Sequence, residues 1–316
     1  MKKRLLCLLL ALLMLLSATA CGKKDTEDTV EPDQGNELPL PSVDDPQGPE
    51  EEPEQGGNQQ HAAYTDSGYI VNDPNNTRGL SEESVPYSFG AAKNGEPHSQ
   101  SVRNQDAFDA MANVSALALD RKTPKEEKVL YLTFDCGYEY NNNTLVILDV
   151  LKQKDVKAAF FCTLPFLTGN GESARRMIEE GHIVGNHSNN HPVFTTISRT
   201  EMAQEIHDVH KYLLNTYGYT SKYFRFPTGS YSESSLELVT SIGYNSAFWS
   251  IAYDDWDTNN QGRTDYAFKT VTGRLHPGAV ILLHSVSTDN AAILGDFIDY
   301  ARAQGYTFKT LDDYFA

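Results

Sequence analysis

The chain is short of cysteine, of tryptophan and of positive charge. Its 316 residues include four Cys and two Trp, and 43 Asp and Glu outnumber 26 Lys and Arg, for a formal net charge of −17. Cys7 lies inside the leader, and only Cys136 and Cys162 fall in the mature globular part, too few for a disulfide framework but enough for one bridge or two free thiols. The deficit of basic residues excludes a basic nucleic-acid-binding face, so no nucleic acid is expected as a partner. Aromatic residues are absent from the first 63 positions, and every Phe, Tyr and Trp lies from Tyr64 onward. Between Gly22 and Ala63 twelve Asp or Glu stand against two Lys, which places −10 of the charge there and −7 elsewhere. Such a stretch, rich in Pro, Glu, Asp, Gln and Gly, cannot bury enough apolar surface to offset its ordering entropy. Residues 22–63 are therefore expected to be a disordered acidic tether.

The first 21 residues have the form of an export signal. Lys2, Lys3 and Arg4 precede an apolar core from Leu5 to Leu16 and small residues up to Cys21, a pattern too short for a membrane span. S-A-T-A-C resembles the lipobox of bacterial lipoproteins, in which that cysteine carries the lipid; Ala18 stands where leucine is usual. The expectation is a chain anchored through Cys21 to the outer face of the cytoplasmic membrane, or secreted if the signal is cleaved nearby without lipidation. A monomer is expected.

What remains is apolar enough (40% overall) to build one α/β domain of barrel size or two small domains. Residues 64–127 are mixed, with a helix expected over 106–119, and are read as an extension packing on a catalytic domain at 128–316. From Val129 onward β-type apolar runs alternate with segments of helical period. The runs are 129–134, 158–162, 182–186, 223–225, 246–251, 279–283 and 307–309. Helices are expected near 144–154, 172–180, 199–217, 233–241, 265–275 and 291–303, with 311–315 as a last turn. Ser198 with Glu201 forms a capping box, and Gly181, Gly218, Gly243 and Gly305 each follow a helix as left-handed caps would. Strands and helices in alternation imply a parallel sheet closed or nearly closed into a barrel.

In such barrels functional residues sit after the carboxyl ends of the strands. Asp135 follows the first run, His187 and His191 the third, Asp255 the fifth, while Arg225 ends the fourth and His284 the sixth. Each alone would pass as a capping or surface residue; their agreement in position marks a site. His187 and His191, four apart, can place two imidazoles on one cation if the turn is helical. Two histidines leave a divalent ion short of ligands, and Cys136, beside Asp135, is the neighbouring candidate. His182 and His276 are read as structural. Trp249 fits a core role at least as well as a cleft role, and Tyr138, Glu139 and Tyr140 follow the first strand where they could border a substrate.

Five blocks in order, T133-F-D-C-G137, H187-S-N-N-H191, R225-F-P-T-G229, Asp255-Trp256 and L282-L-H284, resemble those of the polysaccharide deacetylases of carbohydrate esterase family 4, over roughly 128–315. The resemblance implies a distorted (β/α)7-type barrel and metal-dependent removal of acetyl from an N-acetylated sugar. It gives Asp135 as general base, His284 as general acid, Arg225 and Asp255 as their respective partners, and His187 and His191 as ligands of a divalent cation, zinc above others. It also suggests Tyr138, Pro227, Gly229, Trp256 and Leu282 as substrate contacts. The phrases T-F-D-C-G-Y-E, G-H-I-V-G-N-H-S and F-W-S-I-A-Y-D-D-W are similar to muramic-acid de-N-acetylases of spore formers, which prepare peptidoglycan δ-lactam; Thr228 departs from their usual Arg. Cys136 stands where most of the family has an aspartate ligand. A free thiol turned away from the cation is the expectation; a coordinating thiolate and a Cys136–Cys162 disulfide are the alternatives. For substrate, the alternative is N-acetylglucosamine in peptidoglycan or chitin oligomers; from another class, the alternative is an inactive sugar-binding lipoprotein.

Overall fold

A computed structural model describes residues 71–316, all of them within one compact unit. The leader, the lipobox Cys21, the acidic tether and the start of the 64–127 extension lie outside the described residues. Among the described residues the elements run α1 Ser99–Asp109, β1 Ala116–Leu117, β2 Val129–Cys136, α2 Asn143–Lys154, β3 Ala159–Cys162, α3 Leu164–Gly169, α4 Gly171–Glu179 and β4 Ile183–Asn186. They continue with α5 Arg199–Tyr217, β5 Tyr223–Phe224, α6 Glu233–Ser241, β6 Asn245–Ala247, α7 Thr264–Gly273, β7 Ala279–His284, α8 Thr288–Ala303, β8 Thr307–Lys309 and α9 Leu311–Phe315.

The strands form one parallel sheet in the order β1-β6-β5-β4-β3-β2-β7, with β8 also paired to β2. Single bridges, Ile251 to Ile281 and Leu119 to Ala279, tie the two ends of that order together, so the sheet curls into the distorted barrel that the alternation implies. Both faces of the sheet are buried, as parallel strands require, and the period of two sorts the side chains between them. Leu130, Leu132, Phe134 and Cys136 of β2 face outward, packing with Ile147, Leu148 and Leu151 of α2. Val129 and Tyr131 face inward with Ala159, Phe161, Ile183, Tyr223 and Val280. The interior is tight: a Cβ on Gly185 of β4 would stand 2.5 Å from the Phe161 ring, so glycine is needed there. Helix ends follow the local chemistry, with a capping box at Ser198 and Glu201 and positive φ at Gly181, Gly218, Gly243 and Gly305.

Two expectations need correction, and one helix is new. The helix expected over 106–119 ends at Asp109, and Ala116–Leu117 joins the sheet beside β6; the short run A-L-A-L is compatible with either state, and pairing decided it. The Gln105 side chain of α1 completes this edge, accepting from the amides of Ala118 (2.7 Å) and Leu119 (3.1 Å) and donating to the Ala116 carbonyl (3.2 Å). The run 246–251 is a strand only to Ala247; beyond it the backbone crosses toward β7. The short helix α3 was not anticipated; Thr163 caps it and Pro165 opens its first turn.

Candidate active site

The sheet register places one end of each strand at a common rim. Asp135 pairs with His284 across β2 and β7, Cys136 with Cys162, Cys162 with Asn186, and Asn186 with Phe224. Asp135 continues the inward face of β2 and is buried. Arg225, just past β5 and fully buried, donates through Nη1 to Asp135 Oδ1 (2.7 Å) and through Nη2 to Thr133 Oγ1 (2.9 Å). Its Nε donates to the Ala247 carbonyl (2.9 Å), and the guanidinium lies 4.1 Å from the Phe161 ring centre. Every edge of this buried cation is engaged, as burial of a charge demands. Burial alone would push the Asp135 carboxyl up, but Arg225, His187 and His284 outweigh it and hold the pKa below the usual carboxylate range.

One strand away the polarity is reversed. His284 Nδ1 donates to Asp255 Oδ1 (2.7 Å), and its backbone amide donates to Asp255 Oδ2 (2.7 Å). Burial lowers the pKa of the His284 imidazole, but the Asp255 carboxylate and then Asp135 overcome that, and the net shift is upward. Asn290 of α8, invisible to motif reasoning, donates to Asp255 Oδ2 (2.6 Å) and to the His284 carbonyl (3.1 Å). Its own Oδ1 accepts from the Tyr253 hydroxyl (2.6 Å). The only hint in the sequence was the S-x-x-N spacing from Ser287, the cap of α8.

His187 and His191 come together, with ring centres 4.8 Å apart. They do so without the helical turn that was the stated condition: Ser188 (φ 69°) and His191 (φ 57°) are left-handed. Asn186 Oδ1 accepts from the Ser188 amide (2.9 Å) and Ser188 Oγ from the His191 amide (2.9 Å), while Asn189 and Asn190 are held by Asp208 and Glu205 of α5. His187 Nδ1 lies 2.9 Å from the Arg225 carbonyl, which can only accept, so Nδ1 carries the hydrogen and Nε2 keeps its lone pair. That Nε2 is 3.5 Å from Asp135 Oδ2. Burial pushes the His187 pKa down to about 4 and lowers that of His191 as well, so both imidazoles are neutral, the form that binds a cation. The pair fits a divalent metal. Among the described residues no cluster of three or more His, Cys, Asp or Glu forms a fuller cage.

Cys136 is not part of this arrangement. It is fully buried on the outward face of β2, among apolar side chains, opposite in direction to Asp135. The thiols of Cys136 and Cys162 are cross-strand neighbours and both are free. The ligand and disulfide alternatives are corrected accordingly. Strand β2 runs through Cys136 with its alternation intact, so here the thiol lies on the face opposite to Asp135.

Above the rim opens a cleft of about 970 Å³. Tyr138 and Trp256, 52% and 61% exposed, flank it, and Gly229 and Leu282 line it. Pro227 does not: it is buried at the start of the turn Pro227–Gly229, where its fixed φ helps to aim Thr228 and Gly229 at the cleft. A Cβ on Gly229 (φ 74°) would stand 2.8 Å from the Trp249 ring. Trp249 has both roles offered for it, packing against Tyr87 and Phe248 and lining the cleft. Phe89, from the N-terminal extension, also lines it. His182 and His276 are buried away from the cleft, their Nδ1 atoms hydrogen-bonded to the Ala158 amide and near the Arg274 carbonyl.

A rim of this kind, on a closed parallel sheet with a carboxylate and a partnered imidazole on neighbouring strands, defines a hydrolase of the barrel class. The chain belongs to the polysaccharide deacetylase family, carbohydrate esterase family 4: residues 122–247 match the family Polysaccharide deacetylase. It is 43% identical over 189 residues to the peptidoglycan-N-acetylmuramic acid deacetylase PdaA of Bacillus subtilis, covering 60% of this chain and 72% of that protein. The solved structure of B. subtilis PdaA, a family 4 carbohydrate esterase, superimposes with a TM-score of 0.66 at 37% identity, over 74% of this chain and 97% of that one. A peptidoglycan-N-acetylglucosamine deacetylase, PgdA of Listeria monocytogenes, is 33% identical over 60% of this chain and 39% of its own length.

Proposed function

We propose that the protein hydrolyses the acetamide of N-acetylmuramic acid in peptidoglycan glycan strands, leaving the amine from which muramic δ-lactam forms. Similarity to PdaA and its structure supports this substrate. The observation that carries the chemistry is the register pair Asp135–His284, one held ionised by Arg225, the other held protonated by Asp255. Groups with pKa values pushed apart in this way divide into base and acid. Asp135 takes a proton from the attacking water as its oxygen bonds to the acetyl carbon. His284 gives its proton to the nitrogen as the C–N bond breaks, and acetate and amine leave. Asn290, through Asp255 and the His284 carbonyl, fixes the ring that donates. His187 and His191 would hold a divalent cation, zinc by preference for imidazole, which supplies polarisation of the acetyl carbonyl and a lowered pKa for water. The roles rest on geometry together with family membership. Lipid anchoring through Cys21 on the outer membrane face, and action as a monomer, complete the proposal.

One observation favours a second substrate. Among the described residues lining the cleft none is Lys or Arg, so the lactyl carboxylate of a stem-free muramic acid would meet no lysine or arginine side chain there. Neutral N-acetylglucosamine has no such need. An inactive sugar binder is disfavoured, because a binder needs neither a tuned acid nor a tuned base. Mass analysis of stem-free peptidoglycan and of chitin oligomers after incubation with the purified chain and divalent cations decides. Acetate loss from muramic acid is the expected result; preference for chitin oligomers moves the substrate, and no loss from either with any cation removes the enzyme reading.

A further inference from the structure

Phe89 reaches the cleft from a segment that lies before the family-matched stretch at 122–247. Its placement is fixed from several sides. Val85 makes an antiparallel bridge with Tyr231, by hydrogen bonds of 2.8 and 3.1 Å. The Tyr87 hydroxyl donates to the Trp249 carbonyl (2.5 Å), and its ring lies 4.7 Å from Phe248 and 4.9 Å from Trp249, centre to centre. The carbonyls of Ser88 and Phe89 accept from Asn104 Nδ2 and Ser101 Oγ, both at 2.7 Å and both from buried side chains of α1. Gly90 then turns the chain at φ 71°, where any Cβ would overlap the His98 ring. So much anchoring around a half-buried phenylalanine at the edge of a cleft is more than packing of that ring requires; it holds an apolar face ready before a ligand arrives.

That face is one wall of a corner. The rings of Phe89 and Trp249 stand 6.3 Å apart, inclined at 64°. Trp249 in turn lies 5.7 Å from the Arg225 guanidinium, which is bonded at 2.7 Å to Asp135. The corner therefore adjoins the reacting end of the cleft, with Phe89 the outer ring. A pyranose offers one face of axial C–H groups to an aromatic ring, and aromatic walls with few polar groups are the usual lining of such a pocket.

We propose that Phe89 and Trp249 form a subsite for the sugar next to the one that loses acetyl, and that Phe89 is a specificity-determining residue for glycan length. The proposal rests on the reading of the cleft as that of a glycan deacetylase. The subsite takes the apolar face of a neighbouring N-acetylated pyranose, and its outer wall is supplied by the N-terminal extension rather than by the barrel.

The test uses the full chain with N-acetylmuramic acid as a single sugar and with a stem-free peptidoglycan fragment of four sugars. Phe89→Ala is expected to raise KM for the four-sugar fragment about tenfold, the effect of roughly one lost ring contact. kcat, and both constants on the single sugar, which leaves the subsite empty, should stay within about twofold. Phe89→Tyr, which keeps a flat ring, should restore KM, whereas Phe89→Leu, which keeps volume without it, should not. An unchanged KM for the longer fragment, or equal loss on both lengths with a lowered melting temperature, overturns the subsite. If the wild-type chain releases no acetate, the parent reading fails separately. Binding then still decides, since both tryptophans of the chain, Trp249 and Trp256, line the cleft and report occupancy by fluorescence. Weaker binding of the four-sugar fragment by Phe89→Ala supports the subsite, and equal binding overturns it.

Discussion

Replacing Asp255 by Asn removes a charge while keeping shape, and its effect can be worked out from the contacts the carboxylate makes. It is buried and accepts from His284 Nδ1, the His284 amide and Asn290 Nδ2, at 2.7, 2.7 and 2.6 Å. An amide offers one oxygen to three donors, so at least one is left unpaired. Burial opposes the His284 imidazolium, and Asp255 is the main group outweighing it, with Asp135 behind and Arg225 acting the other way. An imidazolium is fully present below its pKa and is lost as pH rises through it. The wild-type alkaline limb therefore lies above the ordinary histidine value, and D255N should bring it down. Loss of one charge-assisted hydrogen bond, about 1.5–3 kcal/mol, corresponds to roughly a 10- to 100-fold fall in kcat on the alkaline side, with much less lost toward acid pH. Acetate release measured from about pH 5.5 to 9 reads this directly. A uniform fall with the alkaline limb unmoved would refute the tuning role of Asp255, and an unchanged kcat would refute His284 as the acid.

Arg225→Met leaves the Asp135 carboxylate buried without its partner, and should cost about 3–5 kcal/mol in chemical denaturation. Because Arg225 helps to hold the Asp135 pKa down, any activity that remains should show its acid limb shifted to higher pH. Gly185→Ala presses a methyl into the Phe161 ring at 2.5 Å and should lower stability by about 1–3 kcal/mol in the same assay. Chelation should abolish acetate release and added zinc restore it; His187→Ala should weaken cation binding in calorimetric titration at least tenfold. Cys136→Asp should not create a third ligand, since the new carboxylate would face apolar side chains; unchanged cation affinity with marked destabilisation is expected, and tighter binding would contradict the placement. Thiol titration of the unfolded chain should find Cys136 and Cys162 both reduced.

What the sequence carried best was whatever the strand rhythm and the motifs both marked. Asp135 and His284 close apolar runs, so their meeting at one rim followed from the parallel order alone. Arg225, Asp255, His187 and His191 gathered there for the same reason. What it carried poorly was support that arrives from outside the motifs. Asn290 is an ordinary residue until α8 folds it onto Asp255, as is Tyr253 until the segment between β6 and α7 brings its hydroxyl to Asn290. Phe89 lies where composition is mixed and no period is strong. His187 and His191 meet as their spacing allows, but by a route the spacing does not reveal: Ser188 and the Asn186 side chain stabilise two left-handed residues in place of a helical turn. Cys136 was ambiguous in one dimension only; once the outward set Leu130, Leu132 and Phe134 is recognised, its direction is fixed.

The Asp135–His284 pairing has a mechanical meaning. The proposed base and acid ride on adjacent strands whose backbones are spaced by the sheet ladder, about 4.8 Å apart, so neither can drift without breaking the hydrogen bonds of that ladder. In the proposed mechanism proton traffic is thus gauged by the main chain, while the walls of the cleft hang in part from loops and from a segment that precedes the barrel strands. Such a division lets one hydrolytic frame be handed from one polymer to another by rewriting its fringe alone.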